Sequence, residues 1–424
     1  MRWLSLAALA LCAGAASFLP AQERGVDLAS RSLNVFLDCS GGCDGDYIRT
    51  ETPWVEFVRD RFVADVHLII TNLNNGSGGR SYQLEVIGFV PGMQRNDTLR
   101  VATEPNATSD DIRVALLRQI HLGLIPYASR SAVASQLTVR SSAPREDAEA
   151  PAQDRWNLWV FTVGADGSFD KEARREQEEF EGRFRARRID ADWKFGFEVE
   201  SEVNRRRIKL SDRTAVNTVS EFQTGAVLIR SIGPRMGIGL EATTGSATFD
   251  NLDRVSRVAP AVEVSLWPYS EAQRRQLIAQ LSVGVSSFNY GERTLFDRLE
   301  ETRPTSALII GYDARQPWGS ASMTLEGSAF LHDTQRHRIV FEYDASIRVT
   351  TGLSIDFGGS ASLVRDQLNI AARDATPEEI LLELRELGTD YRYDFRVGLS
   401  YTFGSIFNSV VNPRFGSGPG SILR

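Results

Sequence analysis

Histidine is scarce in this chain, four residues in 424, and cysteine is scarcer still, at three. Zinc sites draw three or four ligands from these side chains at set spacings. His67, His121, His332 and His337 form no such set, so neither a metal nor another cofactor is expected. Long apolar runs are missing too, and beyond the N-terminus no stretch is long enough for a membrane helix. A net charge of -7 at pH 7 gives no reason to expect nucleic acid as a partner.

The N-terminus holds an address. Arg2 supplies a positive start, residues 4–18 are apolar, and Leu19-Pro20-Ala21 offers a small residue for cleavage, the pattern of a secretory signal peptide over 1–21. Leu11 stands where a lipoprotein would carry a small residue before Cys12. Removing the signal leaves Cys39 and Cys43 in an oxidising export compartment, where a short local disulfide is expected. The adjoining Cys43-Asp44-Gly45-Asp46 has too few acids for a cation site and reads as a glycine turn.

Alternation identifies the fold class. Tyr391, Tyr393, Phe395, Val397, Leu399, Tyr401 and Phe403 are apolar, and Arg392, Asp394, Arg396, Gly398, Ser400 and Thr402 stand between them. A period of two gives a strand with two unlike faces. At about thirteen residues, with aromatics at both ends of the apolar face, it has the marks of a strand crossing an outer membrane. The pattern recurs where Ile339, Phe341, Tyr343 and Ile347 flank Glu342, Asp344 and Arg348, and where Ile355 and Phe357 flank Asp356. It appears again where Trp193, Phe195, Phe197 and Val199 alternate with Lys194, Glu198 and Glu200. Hydrocarbon rejects charge, whereas a watery or ion-paired interior accepts it.

The expected fold is therefore mainly β: a 12-stranded antiparallel transmembrane β-barrel over 155–404, preceded by a small α+β periplasmic domain over 30–142. A Pro, Ala and acid-rich linker (143–154) joins them, and a tail (405–424) follows. The strands are expected near 156–166, 176–189, 192–206, 215–230, 235–249, 254–267, 274–290, 303–315, 318–331, 337–349, 353–369 and 390–404. Connections at 167–175, 291–302 and 370–389 are longer than those on the opposite side, so both termini belong to the short-turn, periplasmic side. In the N-terminal domain the expected order is β-α-β-β-β-α, with a first helix opening at Thr52-Pro53 ahead of Trp54, Phe57 and Val58. The last helix is capped by Thr108 and carries Ile112, Leu116, Ile120 and Leu124 on one face.

Residues 64–128, with Ala64-Asp65 before a strand, a glycine-rich hairpin and a closing amphipathic helix, resemble the N-terminal domain of the periplasmic translocation protein TolB. That resemblance implies a role in contacting a periplasmic protein through 30–142. Residues 156–415 resemble a family of uncharacterised bacterial outer-membrane β-barrel proteins. They share Leu266-Trp267-Pro268-Tyr269-Ser270, Arg315-Gln316-Pro317-Trp318-Gly319-Ser320, Thr376-Pro377-Glu378-Glu379-Ile380-Leu381 and Leu399-Ser400-Tyr401-Thr402-Phe403-Gly404-Ser405-Ile406-Phe407. This implies a fold and an address, the outer membrane, with its lipid and the barrel-assembly machinery as partners, and brings no activity. The usual terminal aromatic is displaced, since Phe403 is followed by a stretch ending at Arg424.

Candidate functional residues lie on the inward faces. Glu181, Arg183, Arg185 and Arg187 sit on one strand, and Lys194, Glu198, Glu200 and Glu202 on the next, so opposite charges can pair across the ladder. With Glu342, Asp344, Arg348, Asp356, Arg392, Asp394 and Arg396 they form either a constriction selecting solutes or, the preferred reading, an interlocked filling of a narrow lumen. In the last long loop, Thr376 and Glu379 make a capping box for a short helix whose Ile380, Leu381, Leu384 and Leu387 are expected to cover the barrel mouth. His332, Asp333 and His337 would lie at the rim, where a hydrolase could place an acid-base pair. The preferred function is noncatalytic: a barrel anchoring a periplasmic domain as an envelope scaffold or narrow passive pore. The alternatives are a rim hydrolase or a partner-binding domain that the barrel only anchors.

Overall fold

The computed structural model of the chain describes residues 28–39, 42–76, 78–138, 154–209, 214–350, 352–373 and 388–405. The expected signal peptide, all but the last residue of the linker, the stripe from Ile380 to Leu387 and nearly all of the tail lie outside these residues.

The N-terminal domain contains β1 (Leu33–Cys39), α1 (Gly45–Glu51), β2 (Val55–Phe57), β3 (Val66–Asn74), β4 (Arg80–Gly88), β5 (Asn96–Ala102) and α2 (Ser109–Ala128). Its sheet runs β2-β1-β3-β4-β5, parallel at the first two pairings and antiparallel at the last two. Leu116, Ile120, Leu124 and Tyr127 of α2 share a fully buried core with Leu68, Tyr82, Leu84 and Val86 of the sheet. Burial of each such side chain contributes roughly 1.5–3 kcal/mol, which drives the domain to fold. Gly88 is dictated by this packing, because a Cβ there would stand 2.4 Å from the Tyr127 hydroxyl.

The expected helix at Thr52-Pro53 is corrected. Helix α1 lies before that pair: Asp44 caps it by accepting from Tyr47 N at 2.9 Å, and Thr52 is its C-cap. Proline stops a helix as readily as it starts one, and here it stands just past the end. Trp54, Phe57 and Val58 consequently fall in and around β2, which makes five strands where four were expected.

The second body is a meander of twelve strands, each antiparallel to the next. They are β6 (Trp159–Lys171), β7 (Arg175–Ile189), β8 (Trp193–Lys209), β9 (Thr214–Ser231), β10 (Met236–Ala247) and β11 (Leu252–Ser265). There follow β12 (Arg275–Tyr290), β13 (Glu300–Gln316), β14 (Gly319–Phe330), β15 (Asp333–Thr350), β16 (Leu353–Val364) and β17 (Tyr391–Tyr401). Four expectations change at the long-loop end, two of them because β13 begins at Glu300 instead of 303 and β15 at Asp333 instead of 337. Residues 167–171 continue β6 instead of forming a loop, and Phe169 packs edge-on to Phe180 of β7 with ring centroids 5.3 Å apart. Strand β16 ends at Val364, so residues 365–369 belong to the loop.

The sheet curls. At one end the turn residues Asp250 and Asn251 are bonded to Asn369, beyond β16: Asn251 Nδ2 donates to Asn369 O at 2.8 Å, and Asn369 Nδ2 donates to Asp250 O at 2.9 Å. At the other end the N-terminal domain touches both extremes of the sheet: Gly78 lies beside Val160 of β6, and Arg59 donates to Ser405 O beyond β17. Among the described residues no ladder joins β6 to β17, and β17 is exposed along its whole length.

Candidate functional site

Register decides which side chains share a face. Arg185 stands opposite Glu198, Arg183 opposite Glu200 and Glu181 opposite Glu202. Arg185 donates to Glu198 at 2.5 Å and to Glu200 at 2.9 Å, while Arg183 reaches Glu181 at 2.7 Å and Asp166 of β6 at 3.1 Å. Arg187 faces Gly196, and Lys194 faces Ile189 and Ile229. Glu202 lies in a row of three acids with Glu181 and Glu221.

At the other end of the sheet, Asp344 and Arg396 both cover Gly358, at 3.2 and 3.6 Å from where its Cβ would stand. Ser360 donates to Asp394 and faces Glu342, Asp356 faces Gly398, and Arg392 faces Ser362. The inward residues read from the sequence thus form two groups, on β6–β8 and β15–β17, flanking the two ends of the curled sheet. Arg348 belongs to neither: at the short-turn end of the same face it pairs with Asp38 of the N-terminal domain, Nη2 to Oδ1 at 2.8 Å.

Between the groups lie residues the sequence reading did not single out. Gln280 Nε2 donates to Glu241 Oε1 at 2.7 Å across the intervening strand β11, and Arg257 approaches Glu241 at 3.5 Å. Glu241 and Gln280 border two inner cavities, of 670 Å³ toward the short turns and 370 Å³ toward the long loops. Strands β10 and β12 alternate less cleanly, since Gly, Ala, Ser and Thr fill both faces, but counting every second residue from Gly237 reaches Glu241.

Both mouths of this space are covered. At the short turns the N-terminal domain presents its β3–β4 hairpin, and Asn74 and Asn75 line the larger cavity together with Arg187 and Lys194. Gln273 donates to Ser81 O at 3.1 Å, Arg274 lies 3.8 Å from Glu85, and Arg61 donates to Pro317 O, so the contact runs round the rim. At the long-loop mouth Leu368, 5% exposed, packs with the inward Tyr290 and Phe330. The segment is held by Asp366 on Arg338 at 3.0 Å and by Ala372 N on Arg293 O at 2.9 Å. Covering by the loop was expected from Ile380, Leu381, Leu384 and Leu387; within the described residues that place is taken by Leu368.

The three rim residues singled out in the sequence each meet a different neighbour. His332 meets Arg303, Asp333 pairs with Arg336 at 3.3 Å, and His337 lies within β15 with Nδ1 3.0 Å from Thr334 O. In the N-terminal domain Cys39 and Cys43 are joined by a disulfide, with Cα atoms 5.6 Å apart. His121 packs against Trp54 and lies 3.1 Å from Thr52 Oγ1; burial pushes its pKa below the ordinary value, partly opposed by Glu51. No group of acids, histidines and cysteines among the described residues is arranged to hold a metal ion.

Comparison of the chain with known protein families and with curated proteins finds no match.

Proposed function

We propose that this is an integral outer-membrane protein in which the twelve-stranded sheet closes as a barrel and the N-terminal domain is seated in its periplasmic mouth. The barrel anchors that domain and serves as an envelope scaffold. The observation carrying this reading is the distribution of charge on the outward face. Among the described residues outward charges stand only near strand ends: Arg188, Arg230 and Arg275 toward the short turns, and Lys171, Glu176, Glu178, Arg205, Arg207, Lys209, Arg254 and Glu300 toward the long loops. Between them the outward positions hold Phe161, Phe184, Phe197, Leu240, Leu308, Phe341 and Phe395 and their neighbours, with no charge.

On β7 the uncharged interval runs from Glu178 to Arg188. At ~3.3 Å per residue and ~45° of tilt, such an interval spans roughly 23 Å of depth, close to the apolar band of an outer-membrane barrel. In water the face would be costly: Val163 is 80% and Leu399 70% exposed, and soluble monomers rarely carry apolar patches beyond a few hundred Å². A second reading, a narrow passive pore, is favoured by the two inner cavities and requires the domain and the Leu368 segment to move.

Planar-bilayer recording of the refolded chain tests the proposal. Full-length protein is expected to insert without steady current, and a form lacking residues 28–138 that also carries Leu368→Ala, which loosens the cover at the other mouth, to conduct. Steady current from the full chain would overturn the stopper, and failure of both forms to insert, with no conductance after deletion, would overturn the barrel.

A further inference from the structure

Resting on the membrane reading, we propose that the outward face binds one anionic phospholipid of the periplasmic leaflet, with its phosphate at Arg230 and an acyl chain in the groove beside it. Three arginines mark the short-turn border of the outward face. Arg188 is held by Asp190 at 2.7 Å and Arg275 by Glu271 at 2.7 Å. Arg230 has no acidic partner among the described residues. Its guanidinium lies over the Trp193 ring at 5.1 Å, which fixes its position and leaves its N–H donors for another acceptor.

From this pair an apolar groove of 570 Å³ runs across the strands, lined by Leu228, Ile238, Leu240, Val262 and Leu281. The ladder places Trp193, Arg230, Ile238, Val262 and Leu281 in one row. Trp193 is the first residue of β8, whereas Leu281 lies well inside β12, whose first outward charge is Arg275. The row therefore descends from the border into the uncharged band, as a chain attached to a headgroup at Arg230 must. Pro260 forms part of the groove and has no N–H to offer β12, and the β11–β12 pairing is interrupted there.

The occupant is a lipid because the groove is apolar along its length and lies within the band that faces hydrocarbon. It is an anionic one because the single cation at the groove's border lacks a counterion. A zwitterionic headgroup offers the same phosphate but brings its own cation beside it.

Full-length protein reconstituted in phosphatidylcholine, with a minor fraction of brominated phosphatidylglycerol or brominated phosphatidylcholine, tests this through quenching of Trp193. The quenching is taken as the difference between the chain and Trp193→Phe. Brominated phosphatidylglycerol is expected to bind about fivefold more tightly, the factor that one arginine near the surface contributes. The preference should vanish in Arg230→Gln and survive in Arg188→Gln. Equal quenching by the two lipids, or a preference that persists in Arg230→Gln, would overturn the site and leave the membrane reading standing. Absence of quenching of any tryptophan by either lipid would overturn both.

Discussion

Arg348, near the short-turn end of β15, donates to Asp38 at the end of β1 at 2.8 Å, and this pair joins the N-terminal domain to the large sheet. Asp38 is 3% exposed and has His67 behind it at 3.7 Å, so the carboxylate is lodged in the domain and the guanidinium comes to it. Arg348→Gln should loosen docking by about 3 kcal/mol, the lower end for breaking a buried pair, because the arginine itself is 31% exposed. Hydrogen exchange across the β3–β4 hairpin reports it: faster exchange there, with unchanged exchange in β10–β14, is the expected result.

The position of Arg348 shows what alternation reveals and what it hides. Period two placed its side chain inward with Glu342 and Asp344, as the register has it. Nothing in a strand pattern says that a domain 310 residues away in sequence supplies its partner. Likewise the alternation of β17 was legible, while Leu368 was not, because a single leucine in a polar loop has no period. The first helix was misplaced for a local reason: Asp44 and Thr52-Pro53 both carry helix-end chemistry, and only the packing of Ile48 into the core decides between them.

The domain should respond to pH through His121. Burial favours its neutral form, so the folded pKa lies below the unfolded value of about 6.5. The associated stability is complete above that value and is lost as pH falls through the folded pKa. Thermal unfolding of the domain between pH 7.5 and 5 should show a falling midpoint, and His121→Asn should flatten the slope.

Helix α2 offers a graded test of the domain core. Thr108 accepts from Asp111 N at 3.2 Å, and Asp111 accepts in return from Thr108 N at 2.9 Å. Thr108→Ala should cost about 1 kcal/mol. Ile120→Ala, at a fully buried position, should cost about 3 kcal/mol. Denaturant titration of the domain signal should rank them in that order, with the transition of the large sheet unmoved.

On the inner face, Arg185→Gln removes the bridge between Glu198 and Glu200. These groups are about a third exposed, so the loss should be near 1 kcal/mol, far from the cost of stranding a fully buried charge. Adding Glu198→Gln and Glu200→Gln should restore most of it, as seen in the unfolding midpoint of the refolded protein.

At the long-loop mouth, Leu368→Ala should cost about 2–3 kcal/mol locally, since the side chain leaves the contact with Tyr290 and Phe330. Hydrogen exchange over 365–373 should rise, with the sheet unaffected.

The central claim is that alternate residues of one strand face lipid and lumen. Single cysteines placed at Phe341 and Tyr343, and at Glu342 and Asp344, in protein reconstituted into vesicles test it with a small charged thiol reagent; Cys39 and Cys43 are bonded to each other and do not react. Labelling at 342 and 344 with protection at 341 and 343 is the predicted result. Equal labelling on both faces, or faster labelling at 341 and 343, would contradict it.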